Sequence, residues 1–448
     1  MAKPRITVIG GGLAGAEAAW AAAQQGCEVA LWEMRPDRMT AAHRTGDLAE
    51  LVCSNSLKSD LLTNASGILK AEMRRLGSLV LSVAERCRVP AGEALAVDRD
   101  AFAQGVTRAI EGHAGIEVVR REVEALPDAI PVVVATGPLT SDALAHSLRG
   151  HTGNESLYFY DAVAPTVTVE SIDHDRVYRA SRRQRGSTGE TAAGGDYLNC
   201  PLTREQFLAF HAALLGAEQA PLHTADECAT PFFEMCLPIE ELARRGPRTL
   251  AYGPMRPIGL EDPRTGKRPY AVVQLRQENA AGTLWGLVGF QTRLRWPEQK
   301  RVLRLVPGLE RAQFVRYGVM HRSTYVNSPR VLRDTCELRG RAGVFLAGQI
   351  TGVEGYVESA ATGILAGINA ARNLMGQPTV TPPPETVLGS LCRYLVDTDP
   401  ERFAPMNANL GIIPELPGSV RNKRERSRLK GERALRSLER WLASELAG

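Results

Sequence analysis

Three glycines near the start of the chain, Gly10, Gly12 and Gly15, restrict its fold more than any other feature. They stand at GxGxxG spacing between a β-branched run at 6–9 and an alanine-rich stretch at 14–25, a pattern that predicts strand, turn and helix. Such a turn lets backbone N–H groups at a helix N-terminus approach a pyrophosphate. An apolar strand is predicted at 27–32, and the acid that closes it suits ribose hydroxyls. We therefore predict a dinucleotide site, rather than a purely structural turn, at Gly10, Gly11, Gly12, Leu13, Ala14, Gly15 and Glu33.

The composition is that of an ordinary globular protein. The 448 residues allow two domains, or one large domain with an insertion, and 44% are hydrophobic while 23% are charged. No apolar run approaches the roughly eighteen residues of a membrane helix, and the chain enters its first strand without room for a signal peptide. The eight cysteines stand singly, without a zinc spacing. We expect a cytoplasmic protein with free thiols, no metal and no membrane contact.

Basic residues are concentrated in two places. Residues 421–448 carry nine Lys or Arg against four Glu, although the whole chain has a formal net charge of only +4. A second cluster comprises Arg176, Arg179, Arg182, Arg183 and Arg185. Each cluster alone is typical of a solvated face, but two on a nearly neutral protein favour a polyanionic partner.

The middle of the chain contains two cysteines in unusual settings. Cys53 precedes a Ser-Asn-Ser turn at 54–56, which we expect to cap a helix and to offer donors to a thiolate. Cys236 lies in a loop, because Pro238 follows it closely. Between them we predict an amphipathic helix at 68–87, a helix capped by Asp98, strands at 116–119 and 131–135, and a different module from about 140 to 320 that contains a hairpin at 271–290.

A second glycine-rich unit follows at the far end of the chain. A strand at 344–349 leads into a loop at 350–355 and a helix at 359–374 that is rich in Ala and Gly. Small residues let such a helix pack closely, and its positive N-terminus would stabilise a reduced flavin ring. NAD alone would explain only the first unit, so we predict FAD, with Gly348, Gln349, Gly352 and Gly355 in the site.

Seven segments together resemble the folate- and FAD-dependent tRNA (uracil-5-)-methyltransferase family, TrmFO. They occur in the family's order at 10–19, 52–57, 135–141, 233–240, 288–292, 320–329 and 348–359. Two residues depart from the family pattern, Met235 and Ser323, and neither is a catalytic candidate. His321 and Arg322 are open between a folate or tRNA contact and a structural role.

The resemblance implies a fold and an activity. The fold class is α/β, with a Rossmann-like FAD-binding domain of glutathione-reductase type at 1–138 and 321–448 and an inserted α+β substrate domain at 139–320. The implied activity methylates uracil C5 in the tRNA T-loop, at position 54, with 5,10-methylenetetrahydrofolate as carbon donor and FAD reduced by NAD(P)H. Cys53 and Cys236 become the catalytic thiols, Cys236 as the nucleophile at uracil C6 and Cys53 as its helper. No obligate protein partner is expected.

Three alternatives stay open. A related flavoprotein installs carboxymethylaminomethyl groups on the wobble uridine of tRNA, but it is longer than this chain. A generic NAD(P)H flavin oxidoreductase would leave the basic segments unexplained. A non-catalytic flavin-containing tRNA-binding protein would bind tRNA without either thiol.

Overall fold

The computed structural model describes residues 5–40, 42–152, 156–182, 195–220 and 237–446, with backbone alone for 156–162 and 320–323. Its strands are β1 Arg5–Ile9, β2 Glu28–Glu33, β3 Ser56–Ser59, β4 Arg88–Val89, β5 Ala94–Val97, β6 Ile116–Arg120, β7 Val132–Val134, β8 Ser156–Ala162, β9 Thr166–Thr168, β10 Tyr178–Ala180, β11 Tyr197–Leu202, β12 Ala271–Gln277, β13 Leu284–Leu287, β14 Phe314–Arg316, β15 Met320–Val326 and β16 Val344–Leu346. Its α-helices are α1 Leu13–Gln24, α2 Ala65–Arg75, α3 Leu79–Arg86, α4 Arg99–Glu111, α5 Asp142–Thr152, α6 Arg204–Leu215, α7 Ile239–Arg244, α8 Pro247–Tyr252, α9 Trp296–Leu303, α10 Ser328–Val331, α11 Tyr356–Leu374, α12 Val387–Asp397 and α13 Lys423–Trp441.

A parallel five-stranded sheet forms the first layer, in the order β16-β7-β1-β2-β6. Its outer strand β16 comes from the far end of the chain and pairs with β7, so the two glycine-rich units meet in one sheet. Alternation of strands with helices produces this arrangement, because parallel neighbours need crossovers. The predicted α/β class and the Rossmann-like domain are confirmed.

A separate antiparallel sheet lies in the middle of the sequence, in the order β10-β11-β12-β13-β9-β14. The predicted hairpin is confirmed, since β12 and β13 pair antiparallel and the Trp285 indole N–H donates to the Gly282 carbonyl at 2.8 Å. This sheet buries its own core, in which Phe207, Phe210 and Trp285 are large members. Strands β8 and β15 pair beside it. The domain boundaries at 138/139 and 320/321 stay predictions.

Two local predictions were wrong. The helix expected at 68–87 is two helices, since Gly77 has a φ of +77° and the Ser78 side chain caps α3 by accepting from the Leu81 N–H. The turn at 54–56 caps no helix, because Ser56 begins β3.

The basic C-terminal segment is a helix that belongs to the core of the cofactor domain. Ala434, Leu438 and Trp441 of α13 are buried with the residues of α1 and α2. Lys430 is 3% exposed, and its ammonium donates to the carbonyls of Leu410 and Ile413, each at 3.1 Å. Among the described residues, no helix combines the length and the hydrophobicity needed to cross a bilayer.

Candidate active site

A cleft opens at the carboxyl ends of β1, β2, β7 and β16, where ligands bind in open parallel sheets. Its wall includes residues of all four strand ends and of the segments that follow them: Ile9, Gly10, Gly12, Leu13, Ala14, Glu33, Val52, Thr136, Gly348, Gln349, Tyr356 and Ser359. Elements from both ends of the chain thus build one cavity.

The glycine turn between β1 and α1 is shaped by its own backbone. Gly10 has a φ of +98°, and a Cβ on it would lie 2.6 Å from the Ala135 carbonyl oxygen. A Cβ on Gly15 would overlap the Gly10 carbonyl oxygen. Gly12, the N-cap of α1, faces open space, and no side chain caps this helix. The turn therefore fits a pyrophosphate, which would accept hydrogen bonds from the uncapped N–H groups.

Glu33 lies at the adenosine end expected for such a cofactor. Its carboxylate accepts from the Gly11 N–H at 2.8 Å and from the Arg35 backbone N–H at 3.0 Å, and the Arg35 guanidinium pairs with both oxygens. Burial alone would raise the pKa of Glu33, but Arg35 and the Gly11 N–H lower it below its usual value. The carboxylate is charged, and a ribose would share it with Arg35.

Helix α11 packs so closely against α1 that the backbones of the two helices are in contact. A Cβ on Gly363 would overlap the Ala14 carbonyl oxygen, and a Cβ on Gly367 would overlap that of Ala18. The Gly348 N–H donates to the Thr362 hydroxyl at 2.9 Å, which fixes the loop before α11. The N-terminus of α11 therefore opens on the cleft, as predicted for a flavin site.

The predicted cofactor residues divide into two groups. Gly10, Gly12, Leu13, Ala14, Glu33, Gly348 and Gln349 line the cleft. The other four lie outside its lining: Gly11, Gly15, Gly352 and Gly355. Gly352 has a left-handed backbone conformation and packs against the Phe403 ring. Gly355, the N-cap of α11, has a φ of +110°. These four shape the backbone of the cleft.

Cys53 adjoins the cleft through Tyr356. The Tyr356 hydroxyl accepts from the Cys53 N–H at 2.7 Å and from the Ser54 N–H at 3.2 Å. Burial raises the pKa of Tyr356, and the neighbouring Cys53 raises it further, so the phenol stays protonated. Both Tyr356 and Val52 line the cleft, which places the loop of Cys53 at its edge.

Charged residues of helix α4 and of the antiparallel sheet hold the Cys53 loop, and we call Arg99, Arg276, Arg316 and Glu278 the arginine seam. Arg99 donates to the Leu51 carbonyl at 2.6 Å and to the Cys53 carbonyl at 3.1 Å, and its Nε lies 2.6 Å from Glu278. Arg276 donates to the Ser54 hydroxyl at 2.7 Å and to the Asn55 side chain at 2.7 Å. Arg316 donates to the Val52 carbonyl at 3.2 Å. The loop is thus held both by α4 and by the antiparallel sheet.

The seam carries more positive than negative charge. Burial lowers the pKa of Arg316 to about 10, and repulsion from Arg99 and Arg44 adds to the effect, only partly offset by Glu278 and Tyr356. Arg44 is exposed. Within the described ranges neither Arg44 nor Arg316 forms an ion pair.

A buried carboxylate lies where β3 meets α11. Lys58, whose φ is +62°, places its ammonium 2.8 Å from Glu358, and it also contacts the Asn407 side chain. The Ala408 N–H donates to the same Glu358 oxygen at 3.0 Å. The other oxygen, Oε2, is buried and has no hydrogen-bond partner among the described residues. The Lys58–Glu358 pair thus joins β3, which follows the Cys53 loop, to α11.

The remaining thiols separate by burial. Cys27, Cys200, Cys336 and Cys392 are buried and Cys87 is half-buried, as expected for structural cysteines. Burial raises the pKa of Cys27, Cys87 and Cys200. Outside the described residues lie Cys228, Met235, Cys236 and the side chains of His321, Arg322 and Ser323.

The two basic clusters differ in how much of their charge is engaged. In the first, Arg176 pairs with Glu310, the Arg179 guanidinium lies 5.4 Å from the Trp285 ring centroid, and Arg182 donates to Gln274. Arg183 and Arg185 lie outside the described part of the chain. In α13 and the segment before it, by contrast, six exposed cations have no ion pair among the described residues: Arg421, Lys423, Arg424, Arg426, Arg436 and Arg440.

Sequence reasoning missed Tyr356 and the arginine seam. Tyr356 directly follows the predicted Gly355, so its place in the motif was a usable signal. Nothing in the local sequence distinguishes Arg99 or Arg316 from other arginines.

Comparison with known proteins agrees with this geometry. The family model of Glucose inhibited division protein A matches residues 5–378. The methylenetetrahydrofolate--tRNA-(uracil-5-)-methyltransferase TrmFO of Symbiobacterium thermophilum is 58% identical over 447 residues, covering 100% of this chain and 99% of its own. The enzyme of the same name from Moorella thermoacetica is 56% identical over 440 residues, covering 98% of each chain. The chain belongs to the TrmFO family. The predicted resemblance is thereby confirmed.

Among solved structures, Aquifex aeolicus GidA in its form II crystal superposes with a TM-score of 0.67 at 17% identity, over 99% of this chain and 76% of that one. The form I crystal gives 0.63 at 18% identity, over 99% and 79%. At this identity the likeness shows the fold alone. It covers both the parallel and the antiparallel sheet of this chain.

Proposed function

We propose that this TrmFO family member methylates uracil C5 in the T-loop of tRNA, at position 54, with 5,10-methylenetetrahydrofolate as the carbon donor. Relatives more than half identical over nearly the whole chain carry that activity in their names. The observation that carries the proposal is the Cys53 loop, which Tyr356 binds at the edge of a dinucleotide cleft. It brings a thiol and a redox cofactor to one place.

FAD is the cofactor that this cleft fits. The uncapped N-terminus of α1 would hold the pyrophosphate, Glu33 with Arg35 would hold the ribose, and the N-terminus of α11 would face the flavin ring. When bound and reduced by NAD(P)H, FAD supplies the hydride that completes the methyl group. Tyr356 and Ser359 would exclude water on that side.

The thiols would activate the pyrimidine. Uracil C5 becomes nucleophilic when a thiolate adds to C6, and we assign this addition to Cys236. After C5 has bonded to the one-carbon unit, it loses its proton to a base and the C6–S bond breaks. The bond between the transferred carbon and the folate nitrogen then breaks as hydride adds to that carbon, and tetrahydrofolate leaves. We assign the role of the proton-accepting base to the Cys53 thiolate. Arg99 holds the Cys53 loop in place by donating to the Cys53 carbonyl. The target base reaches these thiols by leaving the stacked loop of the tRNA.

The same proposal includes the surroundings of the site. The FAD domain is formed by 1–138 and 321–448 and the substrate domain by 139–320. Arg421, Lys423 and Arg424 are exposed cations available to tRNA phosphates. We further propose that the enzyme acts in the cytoplasm on its tRNA and folate substrates, without an obligate protein partner.

One reaction tests the activity. Purified protein, unmodified tRNA transcript, NADPH and folate labelled in its methylene carbon are combined, and the nucleosides are analysed. We expect label in 5-methyluridine at one T-loop position. A reducible flavin without labelled 5-methyluridine would refute the proposal and favour the wobble-uridine enzyme or another oxidoreductase.

A further inference from the structure

Among the described residues, the arginine seam holds three guanidinium groups against one carboxylate. Arg44 is exposed on a neighbouring loop, and the adjacent His43 lines the same cleft as Val52, whose carbonyl accepts from Arg316. Glu278 is already engaged, at 2.6 Å from Arg99 and 3.8 Å from Arg276. Arg316 is the member without an ion pair in the described part of the chain, and its hydrogen bond to Val52 uses one of its five donors. Uncompensated charge in a partly buried setting is costly unless a ligand neutralises it.

The position of Arg316 narrows the choice of ligand. Its guanidinium donates a hydrogen bond to the carbonyl of Val52, the residue before Cys53. Val52 also lines the cleft. An anion bound by Arg316 would therefore lie next to the residue that precedes Cys53. In a nucleotide, the phosphate is separated from the base by a single sugar. In a folate, the carboxylates lie beyond the benzoyl ring and its amide, far from the carbon that is transferred.

We propose that Arg316 and Arg44 bind a backbone phosphate of the tRNA strand next to the target uridine, and so deliver its base to Cys53. This inference rests on the proposed function, because it assumes that the base comes to this thiol. Arg guanidinium groups suit the task, since they can bind a phosphate through paired N–H donors. The contact positions the strand and reads no base.

The experiment compares Arg316→Gln and Arg44→Gln with Arg301→Gln, which removes one positive charge from an exposed ion pair with Glu298. Equilibrium binding of labelled tRNA to the flavin-loaded protein is measured over a range of salt concentrations, and KM is measured for tRNA and for the folate. We expect Arg316→Gln and Arg44→Gln each to raise the KM for tRNA about tenfold, and to reduce the slope of log K against log salt by about 0.7 to 0.9. The KM for the folate stays the same, and Arg301→Gln leaves the slope unchanged.

Three results would overturn the inference. A higher KM for the folate alone would identify the anion as a folate carboxylate. A lower kcat with unchanged tRNA affinity would make Arg316 a support of the Cys53 loop only. An unchanged slope in both variants would show that no phosphate binds there.

Two further features keep the test decisive. Arg44 is exposed, so its variant tests the phosphate even if Arg316→Gln fails to fold. Arg316→Lys retains the charge and should restore the slope. Because binding is measured without turnover, wild-type protein that binds tRNA but forms no 5-methyluridine would refute the proposed function alone.

Discussion

The glycine turn of the cofactor cleft and the arginine seam beside Cys53 are built in opposite ways. At the turn, Gly10, Gly12 and Gly15 contribute an absence of side chains, so that the backbone itself makes the contacts. At the seam, long side chains from β12, β14 and α4 donate to backbone carbonyls and polar side chains of one loop. At the first site a methyl group added to Gly10 or Gly15 would overlap backbone atoms, whereas the second site loses its hydrogen bonds when side-chain atoms are removed.

The difference teaches where each site is vulnerable. A backbone site fails through overlap, which rigid neighbours cannot relieve. A side-chain site fails through charge left unpaired in a partly buried place. Variants that test one mechanism should therefore leave the other intact.

The largest effect is expected from Gly15→Ala. Its methyl group would overlap the Gly10 carbonyl oxygen, and the overlap should cost more than about 3 kcal/mol of unfolding free energy because backbone must move. Gly12→Ala is the matched control, since its methyl group enters open space in the cleft. It should fold and lose only flavin affinity. Soluble yield, thermal unfolding and flavin absorbance measure both, and a stable, flavin-loaded Gly15→Ala protein would contradict the close-approach explanation.

Cys53→Ala should abolish methyl transfer, by on the order of a thousandfold or more, while the flavin stays bound. The thiol is required, but the loop is held by backbone contacts to Tyr356 and Arg99 that alanine retains. Cys236→Ala should behave in the same way, and Cys87→Ala, at the C-cap of α3, serves as a control with normal activity. Single-turnover product formation is the measurement. Activity retained by either catalytic variant removes that cysteine from the mechanism.

Glu278→Gln tests the seam itself. Removing its charge leaves Arg99 and Arg276 without their carboxylate, and we expect a loss of about 3 kcal/mol in unfolding free energy. The comparison variant is Glu298→Gln, whose pair with Arg301 is more exposed, so its loss of unfolding free energy should be much smaller. Denaturant unfolding measures both, and equal losses would mean that the seam is not a buried charge network.

A smaller effect concerns two buried carboxyl groups at helix N-termini. Glu17 accepts from the N–H groups of Leu79 and Val80, and Glu72 from those of Val387 and Leu388. Burial outweighs these bonds and raises the pKa of Glu17 to about 7 and that of Glu72 to about 8. Their protons are held more tightly in the folded state, so this stabilisation is complete below the unfolded pKa and is lost as pH rises through the folded values.

The measurement is the melting temperature between pH 5 and pH 8. We expect it to fall across this window in the wild-type protein and to fall less in Glu72→Gln, by the equivalent of about 1 kcal/mol or more. Glu117→Gln, at an exposed carboxyl group, should keep the wild-type dependence. A dependence that is the same in all three proteins would assign it to other groups.

The cofactor cleft was more readily predicted from sequence than the seam, for a physical reason. The strand, turn and helix around Gly10 are contiguous, so local spacing carries their geometry. Contacts such as Arg276 to Asn55 or Tyr356 to Cys53 join residues hundreds of positions apart, and only the folded chain brings them together. The break at Gly77 was readable, because a glycine followed by a capping serine ends one helix and begins another.

The layout of the first sheet also bears on how the protein is made. Strand β1 and helix α1 leave the ribosome first, yet α11, which packs against α1, comes more than three hundred residues later, directly after β16, the outer strand of the same sheet. The alanine face of α1 stays uncovered until Gly363 and Gly367 arrive, and α13 follows later still. The cofactor can therefore bind only when synthesis is nearly complete. A nascent chain stalled before α11 would expose an apolar, aggregation-prone surface to chaperones.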